Sequence, residues 1–155
     1  MRLKIPPPLV ALICILLMGL ITLPTGFASF EFRSVGLPVL DIASAALLII
    51  GLGINITAFL AFRSAETTIN PLKPETAGRL VNTGLYRFTR NPMYLGMLIV
   101  LIAWGIWLAN WISFFGPVLF MAFITQFQIM PEEQALEKLF PDEYPKFKKS
   151  VRQWL

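Results

Sequence analysis

The chain has 155 residues, a length that suits one domain, and 56 % of them are hydrophobic against 14 % charged. With a mean hydropathy of +0.69, this composition excludes an ordinary soluble globular protein. The absence of histidine and the single cysteine leave the common zinc, haem and catalytic-triad chemistries without their residues, and no metal is expected.

Charge is missing from three stretches: between Lys4 and Glu31, between Asp41 and Arg63, and between Arg90 and Glu132. A helix needs roughly 20 apolar residues to cross about 30 Å of hydrocarbon. The first two gaps each fit one crossing, and the third fits two joined by a tight turn.

In chain order, Pro6-Pro7-Pro8 closes a short basic leader, and the first span covers about residues 9–23, stopped by Pro24 and Gly26. The same segment has the layout of a signal peptide, with Gly26-Phe27-Ala28-Ser29 as a cleavage site. Its removal would leave three spans and spoil the charge asymmetry described below, so a retained span is expected. Cys14, inside this run, is expected to be a small packing residue. A short exterior loop holds Glu31 and Arg33. The second span, about 38–62, carries Asp41 near its outer end and Gly51-Leu52-Gly53 and Asn55 near its middle. It exceeds one perpendicular crossing, so tilt or an extension beyond the bilayer is expected.

Residues 63–92 form the long polar loop, where Pro71, Pro74, Gly78 and Gly84 oppose a continuous helix. Asn91-Pro92 then opens the third span, about 93–109, with Asn at the cap and Pro at the first helical position. Trp104, Trp107 and Trp111 gather around the following turn, as an interfacial aromatic belt does. The fourth span covers about 112–130, with a kink expected at Pro117.

From Pro131 to Leu155 the chain turns charged and amphipathic. Leu136, Leu139, Phe140, Tyr144, Phe147 and Val151 recur at helical spacing, interrupted at Pro141 and Pro145. Twelve of the thirteen basic residues fall on one side of this four-span layout. The positive-inside rule makes that side cytoplasmic, N-in and C-in, and assigns the net charge of +4 to the membrane surface rather than to nucleic acid. The expected fold is all-α and integral to the membrane. It has four transmembrane helices, the last two a hairpin, and a cytoplasmic C-terminal amphipathic helix, in a single domain over 1–155.

Polar residues concentrate on the cytoplasmic side, in the stretch from Gly84 to Gly96 and again at Glu132-Glu133. A two-span hairpin returns the chain to the side it left, so both glutamates are expected close to Asn91 and Tyr94, in a pocket facing the cytoplasm. By themselves Asn91-Pro92 also read as a helix cap, Arg87 and Arg90 as juxtamembrane anchors, and Glu132-Glu133 as first-turn acids favoured by the helix dipole.

The run Leu80-Val81-Asn82-Thr83-Gly84-Leu85-Tyr86 through Arg90-Asn91-Pro92-Met93-Tyr94-Leu95-Gly96, followed by Glu132-Glu133, Leu136, Phe140, Tyr144 and Val151, resembles the isoprenylcysteine carboxyl methyltransferase family. That family groups with the phospholipid methyltransferases. The likeness covers roughly residues 67–155, and its specificity lies in the two boxes occurring together at this spacing. It implies a small membrane methyltransferase that uses S-adenosylmethionine without a Rossmann domain and takes a lipidic or small apolar acceptor from the bilayer. By position it implies cofactor contacts at Leu80, Val81, Tyr86, Asn91, Pro92, Met93, Tyr94 and Glu132. A carboxylate suits the α-ammonium of the cofactor, and tyrosine faces suit its adenine or sulfonium.

Two positions depart from the usual pattern. Asn91 stands where the family's box has His, as it does in phosphatidylethanolamine methyltransferases. Gln128 stands where carboxyl methyltransferases place an Arg that holds the substrate carboxylate. Gln supplies no charge, so the expected acceptor is neutral, an uncharged amine or a thiol, with Gln128 and Arg90 as the substrate-side candidates. Gly51-Leu52-Gly53 resembles a Gly-x-Gly cofactor motif of the phospholipid enzymes, though paired glycines are common in membrane helices. The rivals are a phospholipid amine methyltransferase and a non-catalytic membrane protein that keeps the fold.

Overall fold

The computed structural model describes residues 5–22, 37–64 and 80–155. The exterior loop with Glu31 and Arg33, and the part of the polar loop holding Lys73 and Arg79, lie outside the described residues. Regular structure among the described residues is helical, with one isolated parallel bridge pairing Thr89 with Arg152.

Helix α1 (Pro7–Thr22) starts on prolines that need no hydrogen-bond donor there. It buries Val10, Ala11 and Met18 in the main core, against α3 (Pro92–Leu108) and α4 (Phe115–Ile124). The indole Nε1 of Trp104 donates to the Ile15 carbonyl at 3.1 Å and pins α1 to α3. The opposite face of α1 exposes Leu12, Leu16 and Leu20.

Helix α2 (Leu37–Ser64) packs along α3 more extensively than any other pair. Two glycines permit the approach. A Cβ on Gly51 would stand 2.8 Å from the Gly96 carbonyl oxygen, and one on Gly96 would stand 2.7 Å from that of Gly51. Small residues at such crossings bring helix backbones into contact. Gly53 faces open space, so only the first glycine of the Gly-x-Gly pair has a packing role. Asn55 sits at the same crossing, its amide donating to the Gly51 carbonyl at 3.0 Å.

The hairpin turns at Ala109, which takes a left-handed conformation (φ 51°), and at Asn110, whose Oδ1 accepts from the Ile112 amide at 3.0 Å. The Ser113 hydroxyl donates to the Gly105 carbonyl at 3.1 Å and closes the corner. Trp104 and Trp107 stack here, with ring centroids 4.9 Å apart.

From Trp111 to Leu139 the chain is one helix. It comprises a 3-10 turn (Trp111–Phe114), α4, a π turn (Thr125–Ile129) and α5 (Met130–Leu139). The irregularity therefore lies not at Pro117 but before Pro131. Proline lacks the N–H and crowds the carbonyl four residues back, and the widened turn absorbs that conflict. Pro117 falls early in α4, where the missing donor costs little.

The tail is not a separate helix from its start, because α5 continues the fourth span. The interruption falls at Phe140–Glu143, around Pro141, after which α6 (Tyr144–Ser150) takes Pro145 into its first turn.

Two helices are long and apolar enough to cross a membrane, Pro38–Ala61 and Trp111–Leu139, and only 17 % and 33 % of their apolar windows are buried. The helices Pro7–Thr22 and Pro92–Leu108 are apolar but shorter. Exposed side chains such as Ile42, Ile49 and Leu60 on α2 and Val118 and Leu119 on α4 present far more contiguous apolar surface than water tolerates.

Candidate active site

The site lies at the polar end of the hairpin. Gly84 enters the 3-10 turn Gly84–Arg87 with φ +60°, a conformation that favours glycine. The turn directs Tyr86 inward, where it clusters with Ala58 of α2 and Val81, with Met93 and Phe147 packed against them. Burial, then the charge of Glu132, holds the Tyr86 hydroxyl well above the usual phenol range, so it stays protonated.

At the centre, the Tyr94 hydroxyl donates to Glu132 Oε1 at 2.8 Å, and Gln128 Nε2 donates to the same oxygen at 2.8 Å. Among the described residues Oε2 of Glu132 takes no hydrogen bond, and no Lys or Arg reaches either oxygen. The carboxylate is thus oriented by neutral donors through one oxygen and presents the other.

Beside it lies a charged cluster of different character. Arg90 Nη2 and Nε donate to Glu133 Oε1 at 2.8 and 3.2 Å, both side chains being under 10 % exposed. Arg90 Nη1 donates to the Lys148 carbonyl at 3.1 Å and to that of Val151. Lys148 Nζ reaches Glu133 Oε2 at 3.2 Å and Glu137 at 2.9 Å; the hydrogen bond to Glu137 raises its pKa. Buried Tyr144 adjoins this cluster, and desolvation with the charge of Glu133 keeps its hydroxyl protonated. An ion pair this enclosed is sustained only when its remaining hydrogen-bonding capacity is met, as here.

The backbone after α6 completes the cluster. Arg90 N donates to the Arg152 carbonyl at 3.0 Å, and Asn91 Nδ2 to the Gln153 carbonyl at 3.0 Å. The expected Asn91 cap bond is therefore not made: the segment after α6 takes the side-chain amide instead, leaving the cap position without a side-chain partner for the helix. Glu132 and Glu133 do not occupy a free helix N-terminus either, because the π turn precedes them directly.

Of the residues named from sequence, Tyr94, Glu132 and Gln128 meet directly. Tyr86, Val81 and Met93 form the adjoining apolar wall, and Pro92 is fully buried between. Leu80 is partly buried at the start of the described loop. Asn91 and Arg90 face the segment after α6. Sequence reasoning missed Glu133 as the partner of Arg90, and Gln153, whose Nε2 also reaches Glu133 at 3.2 Å. The signal for Glu133 was available: an arginine just before an apolar helix calls for a counter-ion, and the hairpin supplies one.

Residues 40–143 match the phospholipid methyltransferase family. The chain belongs to that family. The match runs from α2 through the hairpin to the start of α6, so it contains Tyr94, Gln128 and Glu132. An uncharacterized protein of Haemophilus influenzae (strain ATCC 51907 / DSM 11121 / KW20 / Rd) is 48 % identical over 63 residues, 41 % of this chain and the whole of that protein. No solved structure matches the chain.

As a member of the phospholipid methyltransferase family, with two helices fit to span a bilayer, the chain is an integral membrane protein. A methyltransferase family implies S-adenosylmethionine as methyl donor, and the residues present fit it. Its α-ammonium would pair with a carboxylate not already held by a cation, such as Glu132, which no cation reaches among the described residues, and its sulfonium and adenine would suit the rings of Tyr86 and Tyr94.

Proposed function

We propose that the protein is an S-adenosylmethionine-dependent membrane methyltransferase acting on a neutral nucleophile of a lipidic or small apolar acceptor, in the manner of the isoprenylcysteine carboxyl methyltransferase-like enzymes. The alternative is a phospholipid amine methyltransferase, whose uncharged headgroup amine is likewise a neutral acceptor. The observation that carries this reading is Glu132, a half-buried carboxylate held at one oxygen by Tyr94 and Gln128 and lacking a cation among the described residues. A carboxylate drawn partly out of water and held only by neutral donors favours a cationic ligand as its partner.

The cofactor-side set is Leu80, Val81, Tyr86, Asn91, Pro92, Met93, Tyr94 and Glu132. The bound cofactor supplies an electrophilic methyl group on a sulfonium. The residues of the chain do the rest. Tyr94 and Gln128 fix the orientation of Glu132, and Glu132 fixes the cationic end of the ligand. The wall of Val81, Tyr86 and Met93 excludes water, so alignment and proximity provide the acceleration. Arg90 and Gln128 bound the acceptor side without offering it a free charge.

The proposed setting is one domain with four spans, in which Pro7–Thr22 and Pro92–Leu108 also cross. Both termini and the site face the cytoplasm, which the placement of the basic residues supports.

Calorimetric titration of the detergent-solubilised protein with S-adenosylmethionine or S-adenosylhomocysteine tests the reading. Binding is expected, and Glu132→Ala should weaken it about tenfold to a hundredfold, since a charge-assisted bond contributes roughly 1.5–3 kcal/mol. No binding by the folded wild type would favour a non-catalytic protein that keeps the fold.

A further inference from the structure

The five residues after α6 cross the hairpin from one arm to the other. On the α3 side, Thr89 bridges Arg152 and its hydroxyl donates to the Gln153 carbonyl at 3.2 Å, while Asn91 holds the same carbonyl at 3.0 Å. On the other arm, Trp154 Nε1 donates to Thr125 Oγ1 at 3.2 Å, and the indole packs on the main core, which includes Tyr94 and Ile129.

Gln128 meets Glu132 directly, and Thr125 stands three residues before Gln128 in the π turn of the same continuous helix. Seven residues separate Thr125 from Glu132, which places Thr125 nearer the apolar middle of the helix Trp111–Leu139. The indole of Trp154 therefore stands between the Glu132 carboxylate and the hydrocarbon depth. Leu155, beside it, is 71 % exposed, an apolar side chain with lipid as its natural surroundings.

We infer that Trp154 is the membrane-side wall of the acceptor site, a specificity-determining residue against which the apolar chain of a bilayer lipid lies while its polar end reaches Gln128. Its placement favours this over a purely structural tie. Indole combines a broad apolar face with one N–H and suits the boundary between lipid and a polar site. Its single polar atom is committed to a π turn, three residues before Gln128. The inference rests on the methyltransferase reading of the same site.

The test uses the whole protein in nanodiscs containing phosphatidylcholine with a diazirine in the acyl chain close to the ester. After photolysis, labelled peptides are mapped by mass spectrometry. Wild type should be labelled at Trp154 and Leu155 and weakly at 125–132. Trp154→Ala should gain severalfold labelling at 125–132, whereas Trp154→Phe, which keeps the ring and loses the N–H, should resemble wild type. An unlabelled Trp154, or identical labelling of 125–132 in wild type and Trp154→Ala, would overturn the inference. Retained S-adenosylhomocysteine binding by the variants reports that they are folded. If Trp154→Ala fails to fold, Trp154→Leu carries the same comparison. Failure of the wild type to bind that ligand sinks the methyltransferase reading separately and leaves the lipid-labelling result standing.

Discussion

The Tyr94 hydroxyl and the Glu132 carboxylate meet at 2.8 Å across 38 residues of chain, and this bond cross-links the two arms of the hairpin at the proposed cofactor site. Tyr94→Phe removes one neutral donor and leaves the carboxylate with Gln128. The bond is charge-assisted, roughly 1.5–3 kcal/mol, but it orients the carboxylate without touching the ligand, so only part of it bears on binding and S-adenosylhomocysteine affinity should fall by roughly two- to tenfold. Gln128→Leu should cost a similar amount. A loss from Tyr94→Phe as large as that from Glu132→Ala would show that the phenol holds the ligand itself.

The neighbouring pair behaves differently. Arg90 and Glu133 are both buried and hydrogen-bonded through several atoms, so removing one partner strands a charge. Arg90→Met should lower stability by about 3–5 kcal/mol, and Arg90→Met combined with Glu133→Leu should recover much of it. Thermal unfolding in detergent reads both. A single variant as stable as wild type would mean that Lys148, at 3.2 Å from Glu133, neutralises it alone.

These two pairs show what the sequence made legible. Gaps in charge located the apolar helices, and hairpin geometry alone brought Glu132 to Tyr94, because contact between two antiparallel arms follows from spacing. The partner of Arg90 and the path after α6 were not legible. They depend on side-chain hydrogen bonds to backbone carbonyls of Val151, Arg152 and Gln153, groups every residue has and no sequence pattern marks. The position of the helix irregularity was misjudged for a similar reason. Two prolines lay within one helix, and the cost fell on Pro131, which has a full turn of helix before it, rather than on Pro117 near the start.

The glycines of α2 separate by the same logic. Gly51 faces the Gly96 backbone, whereas a Cβ at Gly53 would meet nothing within 4 Å. Gly51→Ala should force α2 and α3 apart and cost about 1–3 kcal/mol. Gly53→Ala should be neutral or stabilising by up to about 1 kcal/mol through helix propensity. Equal melting temperatures for the two variants would reject the close crossing.

Topology is checked with single cysteines in a Cys14→Ser background. Thr83, before the 3-10 turn, and Ser150, at the end of α6, are both exposed. With both on the cytoplasmic side, Thr83→Cys and Ser150→Cys should resist an impermeant maleimide in intact cells and react after permeabilisation. Labelling of either from outside contradicts the N-in, C-in arrangement.

The acceptor is the sharpest question the site poses. An anionic acceptor beside the membrane needs a cation, because an unpaired charge there is costly. Both substrate-side candidates are already committed. The Arg90 guanidinium serves Glu133 and the carbonyls of Lys148 and Val151, and Gln128, which carries no charge, donates to Glu132. On the proposed reading the acceptor is therefore a neutral amine or thiol rather than a carboxylate. Methyl transfer from labelled S-adenosylmethionine to a farnesylated cysteine analogue should therefore be weak or absent in the wild type. Gln128→Arg should raise it, because the guanidinium can serve the substrate carboxylate bidentately. The same change brings a cation within reach of Glu132, so it should also weaken S-adenosylhomocysteine binding by competing for that carboxylate. Both effects are measured on one preparation. Efficient turnover by the wild type that Gln128→Arg leaves unchanged would show that the acceptor carboxylate is held elsewhere, and that position 128 serves only to orient Glu132.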